Sequence, residues 1–222
     1  MTFDSNRAEA LTHMAVSHET AARLDVYVDL LLRWQQIKNL VAPSTLGEIW
    51  TRHIADSAQL LPLLGRSRTI VDIGSGAGFP GLVLAIVKSG EAGFHVHLVE
   101  SNGRKAAFLR EVVRATEAPA TVHGARIEDF TRGWRGDVDF LTARALASLG
   151  DLLAFGESLF DAGSRALFLK GQSARQELAD ASEGWNIDAK LYPSVTDSSG
   201  QIILINSASR RNGVRRLDGN RT

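Results

Sequence analysis

Between residues 72 and 81 the chain reads Asp-Ile-Gly-Ser-Gly-Ala-Gly-Phe-Pro-Gly. A short apolar run over 69–73 precedes this segment and an apolar stretch through Val87 follows it. A strand that turns on glycines into a helix is the opening unit of a parallel α/β sheet, and the turn lies at the sheet edge where nucleotides bind. Glycine lets the backbone reverse sharply and lets a ligand rest on main-chain amides. Asp72 stands two residues before Gly74. Glu100 ends the next apolar run, roughly 20 residues beyond the glycines, where ribose hydroxyls are held in such folds. Asp72, Gly74, Gly76, Gly78 and Glu100 are therefore the candidate site for a nucleoside-type cofactor. A dinucleotide fingerprint would need glycine at 79, and Phe79 stands there.

The remainder agrees with that opening. Residues 1–66 carry apolar side chains at helical spacing, Leu24, Val28, Leu31 and Leu32 among them. They predict a helical extension, broken near Pro43 and resuming over 46–64. Trp34 and Trp50 are read as packing residues. From 67 onward strands (69–73, 94–100, about 121–122, 138–142, 165–170) alternate with helices (from Pro80 through Val87, 103–116, 149–160, 174–182). An antiparallel pair, 185–192 and 201–206, closes the pattern. This predicts an α/β, mostly parallel, doubly wound sheet over 67–208. Residues 209–222 hold five arginines against one aspartate and are read as a basic tail, either solvated or in contact with RNA phosphates. The Arg104, Lys105, Arg110 and Arg114 series has the same two readings, a solvated helix face or a phosphate track. The chain has no cysteine, so thiolate chemistry and Cys-rich zinc sites are excluded. No metal site is expected. There is no apolar leader at the start and no run long enough to span a bilayer, so a cytoplasmic protein is expected.

The acid-x-G-x-G-x-G pattern resembles the first motif of class I methyltransferases. A sulfonium nucleoside has no pyrophosphate, and its charges suit an acidic rim. Substrate chemistry in such enzymes follows the fourth strand. Here that stretch reads Leu-Thr-Ala-Arg-Ala from 141 to 145, without the Asn/Asp-Pro-Pro-aromatic signature of adenine amine methylation. Pyrimidine C5 methylation needs a cysteine nucleophile. An acceptor that is already nucleophilic remains, a purine N7 among them; an oxygen, an amine or a protein acceptor stays open. Arg144, directly after an apolar strand, is costly to bury unpaired and is read as a site residue. Because a fixed cation beside a sulfonium opposes binding, Arg144 is expected to be paired or to point elsewhere. Lys170 ends the fifth strand on the same sheet edge.

Several segments together resemble the glucose-inhibited division protein B family, the small-subunit ribosomal RNA guanine-N7 methyltransferases. They are Trp34 with Asn39-Leu40, Arg52-His53-Ile54-Ala55-Asp56-Ser57, the loop from Val71 to Gly81, Lys105 to Arg110, Arg126 to Phe130, Arg144 to Leu149, and Leu169 to Gln172. The resemblance covers about residues 24–205. It implies S-adenosyl-L-methionine as cofactor, in a pocket of Gly74, Phe79, Ile127, Glu128 and Arg144, with Glu100 on the ribose. Arg144 is also read as catalytic, and Asn39, His53 and Lys170 as substrate-binding; for His53, on one helix turn with Arg52 and Asp56, a core or capping role stays open, and for Lys170 a solvated strand end. The implied partner is 16S ribosomal RNA in the small subunit, met by a monomer with no membrane involved. A non-catalytic nucleoside-binding assembly factor, or a methyltransferase for small molecules or proteins, is the alternative. The arginine-rich tail lies outside the resemblance.

Overall fold

The computed structural model describes residues 3–211. Seven strands form one sheet in the order β3-β2-β1-β4-β5-β7-β6. They are β1 (Thr69–Ile73), β2 (His95–Val99), β3 (Ala120–His123), β4 (Phe140–Arg144), β5 (Arg165–Lys170), β6 (Trp185–Pro193) and β7 (Gln201–Arg210). β1 to β5 pair in parallel, while β7 runs antiparallel between β5 and β6. After β3 the chain returns to the other side of β1, so the strand order reverses between β1 and β4. A crevice opens at the carboxyl ends of the strands at such a switch point.

The residues explain the layering. Along β1, Ile70 packs on one face of the sheet, and Val71 and Ile73 on the other, the period of two that a pleated strand imposes. The first face is covered by α1 (Phe3–Met14), α2 (His18–Gln35), α5 (Gly81–Val87) and α6 (Gly103–Thr116). The second is covered by α7 (Ile127–Gly133), α8 (Leu149–Phe155), α9 (Glu157–Asp161) and α10 (Ala174–Gly184). On α2, Leu24, Tyr27, Val28 and Leu31 are buried against the same core as Val96 and Phe108. Burying each such side chain stabilises by ~1.5–3 kcal/mol. Ser17 caps α2 by accepting the Thr20 amide, and Asn102 caps α6 by accepting from Arg104 and Lys105. No helix among the described residues is long and apolar enough to cross a membrane.

Several expectations shift. The helix predicted over 46–64 is a chain of short pieces: a 3-10 helix Pro43–Glu48, a π-helix Trp50–Ala55, α3 (Asp56–Ala58) and α4 (Leu61–Leu64). Pro62 lies in the first turn of α4, where a missing amide is tolerated. β4 begins at Phe140 instead of 138. The helix predicted over 149–160 breaks at Gly156, where a Cβ would lie 2.6 Å from Leu141 beneath it. Helix α7 was not anticipated. Pro80 stands just before α5 and not inside its first turn. The basic tail starts later than predicted, because Ser209 and Arg210 belong to β7 and Arg210 pairs with Glu157; residues 212–222 lie outside the described residues.

Candidate functional site

The carboxyl edge of the sheet carries two adjoining clefts. The first, about 550 Å³, is lined by the loop from Gly74 to Ala77 and by Phe79, Glu100, Ile127, Glu128 and Arg144. The second, about 470 Å³, lies over the ends of β4, β5 and β7 and includes Lys170, Asp197 and Gln201. Thr45, His53, Arg144, Ala145 and Ala147 line both. Both volumes fall in the usual range for small-ligand sites.

The glycine loop is braced from outside and from beneath. Gly78 has φ +100°, and a Cβ there would lie 2.8 Å from the Tyr27 hydroxyl. That hydroxyl donates to the Ala77 carbonyl, so α2 holds the loop from outside. Beneath, Asp72 is fully buried and accepts from Thr142 Oγ1 on the neighbouring strand at 2.7 Å. Gly81 comes so close that a Cβ would lie 2.5 Å from Asp72 Cβ. Burial pushes the Asp72 carboxyl up to about 6, against the opposing pull of Thr142, Ser75, the Gly81 amide and Arg144. Its Oδ2 has no well-formed hydrogen bond; the Gly81 amide is close enough to favour its charge without completing one.

Glu100 is buried at the floor of the first cleft. It accepts from the Gly76 amide at 2.9 Å and from the Asn102 amide at 2.7 Å, one bond to each oxygen. A carboxylate has about four acceptor positions, so both oxygens keep capacity for ligand hydroxyls. Val99, Ile127, Leu146 and Phe155 add apolar walls. This combination of a carboxylate with spare acceptor capacity, a glycine turn that lets a ligand approach the backbone, and an apolar slot fits a ribonucleoside.

Arg144 stands where the clefts meet. Nη1 donates to the Arg52 carbonyl at 2.9 Å and to Asp56 Oδ2 at 3.0 Å. Nη2 contacts His53 Nδ1. The guanidinium also sits 5.2 Å from the Phe79 ring centroid, and His53 stacks on that ring at 4.9 Å. An arginine can only donate, so His53 Nδ1 is the acceptor and Nε2 carries the proton, facing Thr45 Oγ1 at 2.9 Å. Burial, then the charges of Arg144 and Arg52, lower the His53 pKa to about 3. His53 is thus a neutral ring with both nitrogens engaged. The next residue, Ala145, has φ +48°, a left-handed conformation that costs a non-glycine residue ~1–2 kcal/mol. It turns the chain so that Arg144 faces His53 and Asp56 while Leu146 lies over Gly74.

The clefts gather Gly74, Gly76, Phe79, Glu100, Ile127, Glu128, Arg144, His53 and Lys170. Asp72 lies beneath the loop and Gly78 is the loop glycine packed against Tyr27; neither lines a cleft, so they shape the site without facing it. Asn39 is exposed and lines neither; its neighbours Leu40 and Val41 line the first. Lys170 is tied to the Ala147 carbonyl at 2.5 Å and to Glu177 at 2.7 Å, so its ammonium is committed to the β4 loop. Asp56, which the sequence places on one helix turn with Arg52 and His53, does line the second cleft, and so do Thr45 and Gln201, for which the sequence offered no signal. Among the described residues no group of three His, Asp or Glu side chains could hold a metal ion.

Residues 20–205 match the GidB family, described as rRNA small subunit methyltransferase G. The Ribosomal RNA small subunit methyltransferase G of Methylorubrum populi is 52% identical over 204 residues, 92% of this chain and 96% of its own. That of a Bradyrhizobium species is 51% identical over 208 residues, 94% of each chain. Among solved structures, an rRNA methylase from Streptococcus thermophilus matches with TM-score 0.51 at 14% identity, over 68% of this chain and 93% of its own. M. jannaschii TYW2 in complex with AdoMet matches with TM-score 0.52 at 13% identity, over 72% and 76%. At such identities the likeness speaks to the fold, which is Rossmann-like.

Proposed function

This chain belongs to the GidB family, rRNA small subunit methyltransferase G, and we propose that it transfers a methyl group from S-adenosylmethionine to the N7 of a guanine in the 16S RNA of the small ribosomal subunit. The observation that carries the reading is the pair of clefts meeting at Arg144. In the first, Glu100 would hold the ribose hydroxyls, the turn from Gly74 to Ala77 would carry the amino-acid end, and Ile127 and Glu128 would meet the adenine. When bound, S-adenosylmethionine supplies a methyl group on a cationic sulfur. The second cleft would take the acceptor base.

The residues between the clefts favour an acceptor that needs no base. His53 has both nitrogens engaged and stays neutral. The Arg144 charge is balanced by Asp56, so it does not stand as a free cation against the cofactor. Guanine N7 carries a lone pair and no proton, and its methylation depends on orientation and electrostatics. The enzyme would act as a monomer in the cytoplasm, where its RNA substrate is assembled. The test is incubation of the protein with labelled S-adenosylmethionine and small-subunit particles from a strain lacking this gene, followed by mapping of the modified base. Label on a single guanine N7 is expected; label on another atom, or only on small molecules or protein, would overturn the reading. Calorimetry should show S-adenosylmethionine binding and no NAD binding.

A further inference from the structure

Among the described residues, the large apolar side chains exposed to solvent are Val26, Ile37, Leu146 and Val195. Isolated exposed apolar residues are ordinary, but three of these four stand on one edge. Ile37 follows α2 and is 84% exposed, three residues before Leu40 in the wall of the first cleft. Leu146 lies in that cleft. Val195 is 76% exposed, between Ser194 and Thr196 of the second cleft.

The backbone under Val195 is firmly held. Its amide donates to Gln59 Oε1 at 2.9 Å, the Thr196 hydroxyl donates to Asp56 at 2.7 Å, and Gln59 Nε2 donates to Ser194 Oγ at 3.1 Å. The β6–β7 turn is therefore anchored to the same Asp56 that pairs with Arg144, yet its apolar side chain points outward. Cations share this rim. Lys38 follows Ile37, Arg104 and Lys105 open α6, and Arg126 precedes α7, with Lys105 and Arg126 lining the first cleft. None of the four has an acidic partner among the described residues.

We propose that this rim is the docking face for an unstacked segment of RNA, with Ile37 and Val195 against base faces on opposite sides of the clefts and Lys38, Arg104, Lys105 and Arg126 on phosphates. The inference rests on the rRNA reading above and adds the surface that recognises the strand. RNA is the occupant favoured by charge, because unpaired cations beside apolar side chains match a polymer of phosphates and flat bases. A base drawn from its stack leaves a gap, and apolar side chains serve as wedges in such gaps.

The test compares wild type with Ile37→Asp, Val195→Asp and a control, Val26→Asp. Val26 lies on α2 near Arg23, whose contacts with Ser89 and Glu117 place it toward the opposite sheet edge. Binding to protein-free 16S rRNA and to small-subunit particles is measured alongside S-adenosylmethionine affinity and thermal unfolding. Ile37→Asp and Val195→Asp are expected to weaken binding to both RNA forms by about tenfold, with cofactor affinity and melting temperature unchanged, while Val26→Asp matches wild type. Lys105→Gln and Arg126→Gln should each flatten the slope of log affinity against log salt by ~0.7. Wild-type binding of protein-free rRNA by Ile37→Asp and Val195→Asp would overturn the proposal. A deficit confined to particles would do the same, since it would mean that the rim meets a ribosomal protein. If the wild-type protein neither binds nor methylates the RNA, the functional reading itself fails.

Discussion

Arg144 is bound by three groups from one short segment: the Arg52 carbonyl, His53 and Asp56. Its guanidinium fork makes that possible, because one planar group can donate in several fixed directions. Arg144→Ala should lower methyl transfer about tenfold or more, the scale of losing a charged hydrogen bond, and the protein should stay folded. Arg144→Lys keeps the charge but cannot reach the three acceptors together, so it should recover little activity. Steady-state rates on small-subunit particles decide this; a wild-type rate for either variant would make Arg144 a structural strand end. Asp72 gives a second prediction, with the opposite sense for stability. Its folded pKa, about 6, is raised from 3.8. The native state therefore holds a proton that the unfolded state has already released between those values. Stability from this group is complete below pH ~4 and declines as pH rises through about 6, by roughly 3 kcal/mol at most. Asp72→Asn keeps an acceptor for Thr142 and removes the buried charge. It should melt no lower than wild type at pH 7 and lack this decline between pH 4 and 7. A lower melting temperature at pH 7 would mean that the loop amides hold the carboxylate charged.

At the scale of elements, the glycine turn is held between α2 outside and β4 beneath. Tyr27→Phe removes the hydroxyl that donates to the Ala77 carbonyl and leaves that carbonyl without its buried partner. A loss of ~1–3 kcal/mol in stability is expected, together with weaker cofactor binding as the turn loosens; calorimetry showing unchanged affinity would limit Tyr27 to a packing role. The turn was legible in the sequence because its constraint is local: Gly74, Gly76 and Gly78 all have positive φ, and Glu100 lies one strand away. The closing pair β6 and β7 was legible for the same reason, with an alternating segment before an Asp-Ser-Ser-Gly turn and a continuous apolar run, Ile202 to Ile205, after it. Residues 46–64 misled because their apolar spacing is helical, whereas the chain must bend repeatedly to bring Thr45, His53 and Asp56 to the site. That bending appears as 3-10 and π turns, which a 3.6-residue period does not encode. Helix α7 had a signal in Ile127, Phe130 and Trp134, spaced as one helical face, but it is only seven residues long. The Arg144 partners lie 88 to 92 residues away in sequence, and only the fold brings them together. Tyr27 read as one more helical residue, since nothing in its local spacing points to the loop 50 residues on.

Across the whole molecule, histidines connect burial to acid sensitivity. His53 is neutral against Arg144, and a second group sits at the far edge of the sheet. There His97 Nδ1 lies 3.0 Å from His123 Nε2, with Trp134 packed edge-on 4.4 Å from the His97 ring. Two neutral imidazoles can share one proton, one donating and one accepting. Two protonated rings would both present donors, and the bond would be lost. Burial, then the neighbouring histidines, lowers the His97 pKa to about 4, and burial also lowers those of His95 and His123. In the unfolded chain these rings take up protons near pH 6.5. Between pH 6.5 and about 4 the unfolded state therefore binds more protons than the native state, and acid draws the equilibrium toward unfolding. The stabilisation is complete above pH 6.5 and declines as pH falls toward 4 for His97 and toward 3 for His53. Asp72 acts in the opposite direction over part of this window, but it is one group against four. The melting temperature should thus fall steadily from pH 7 to pH 5. Replacing His97 and His123 together with Gln, which retains a donor and an acceptor without titrating, should flatten that decline while leaving cofactor binding intact, because neither residue lines the clefts. Thermal unfolding of wild type and the double variant at both pH values provides the measurement. An identical pH slope in the two proteins would remove the histidine pair from the account and leave acid sensitivity to His53, His95 and Glu177.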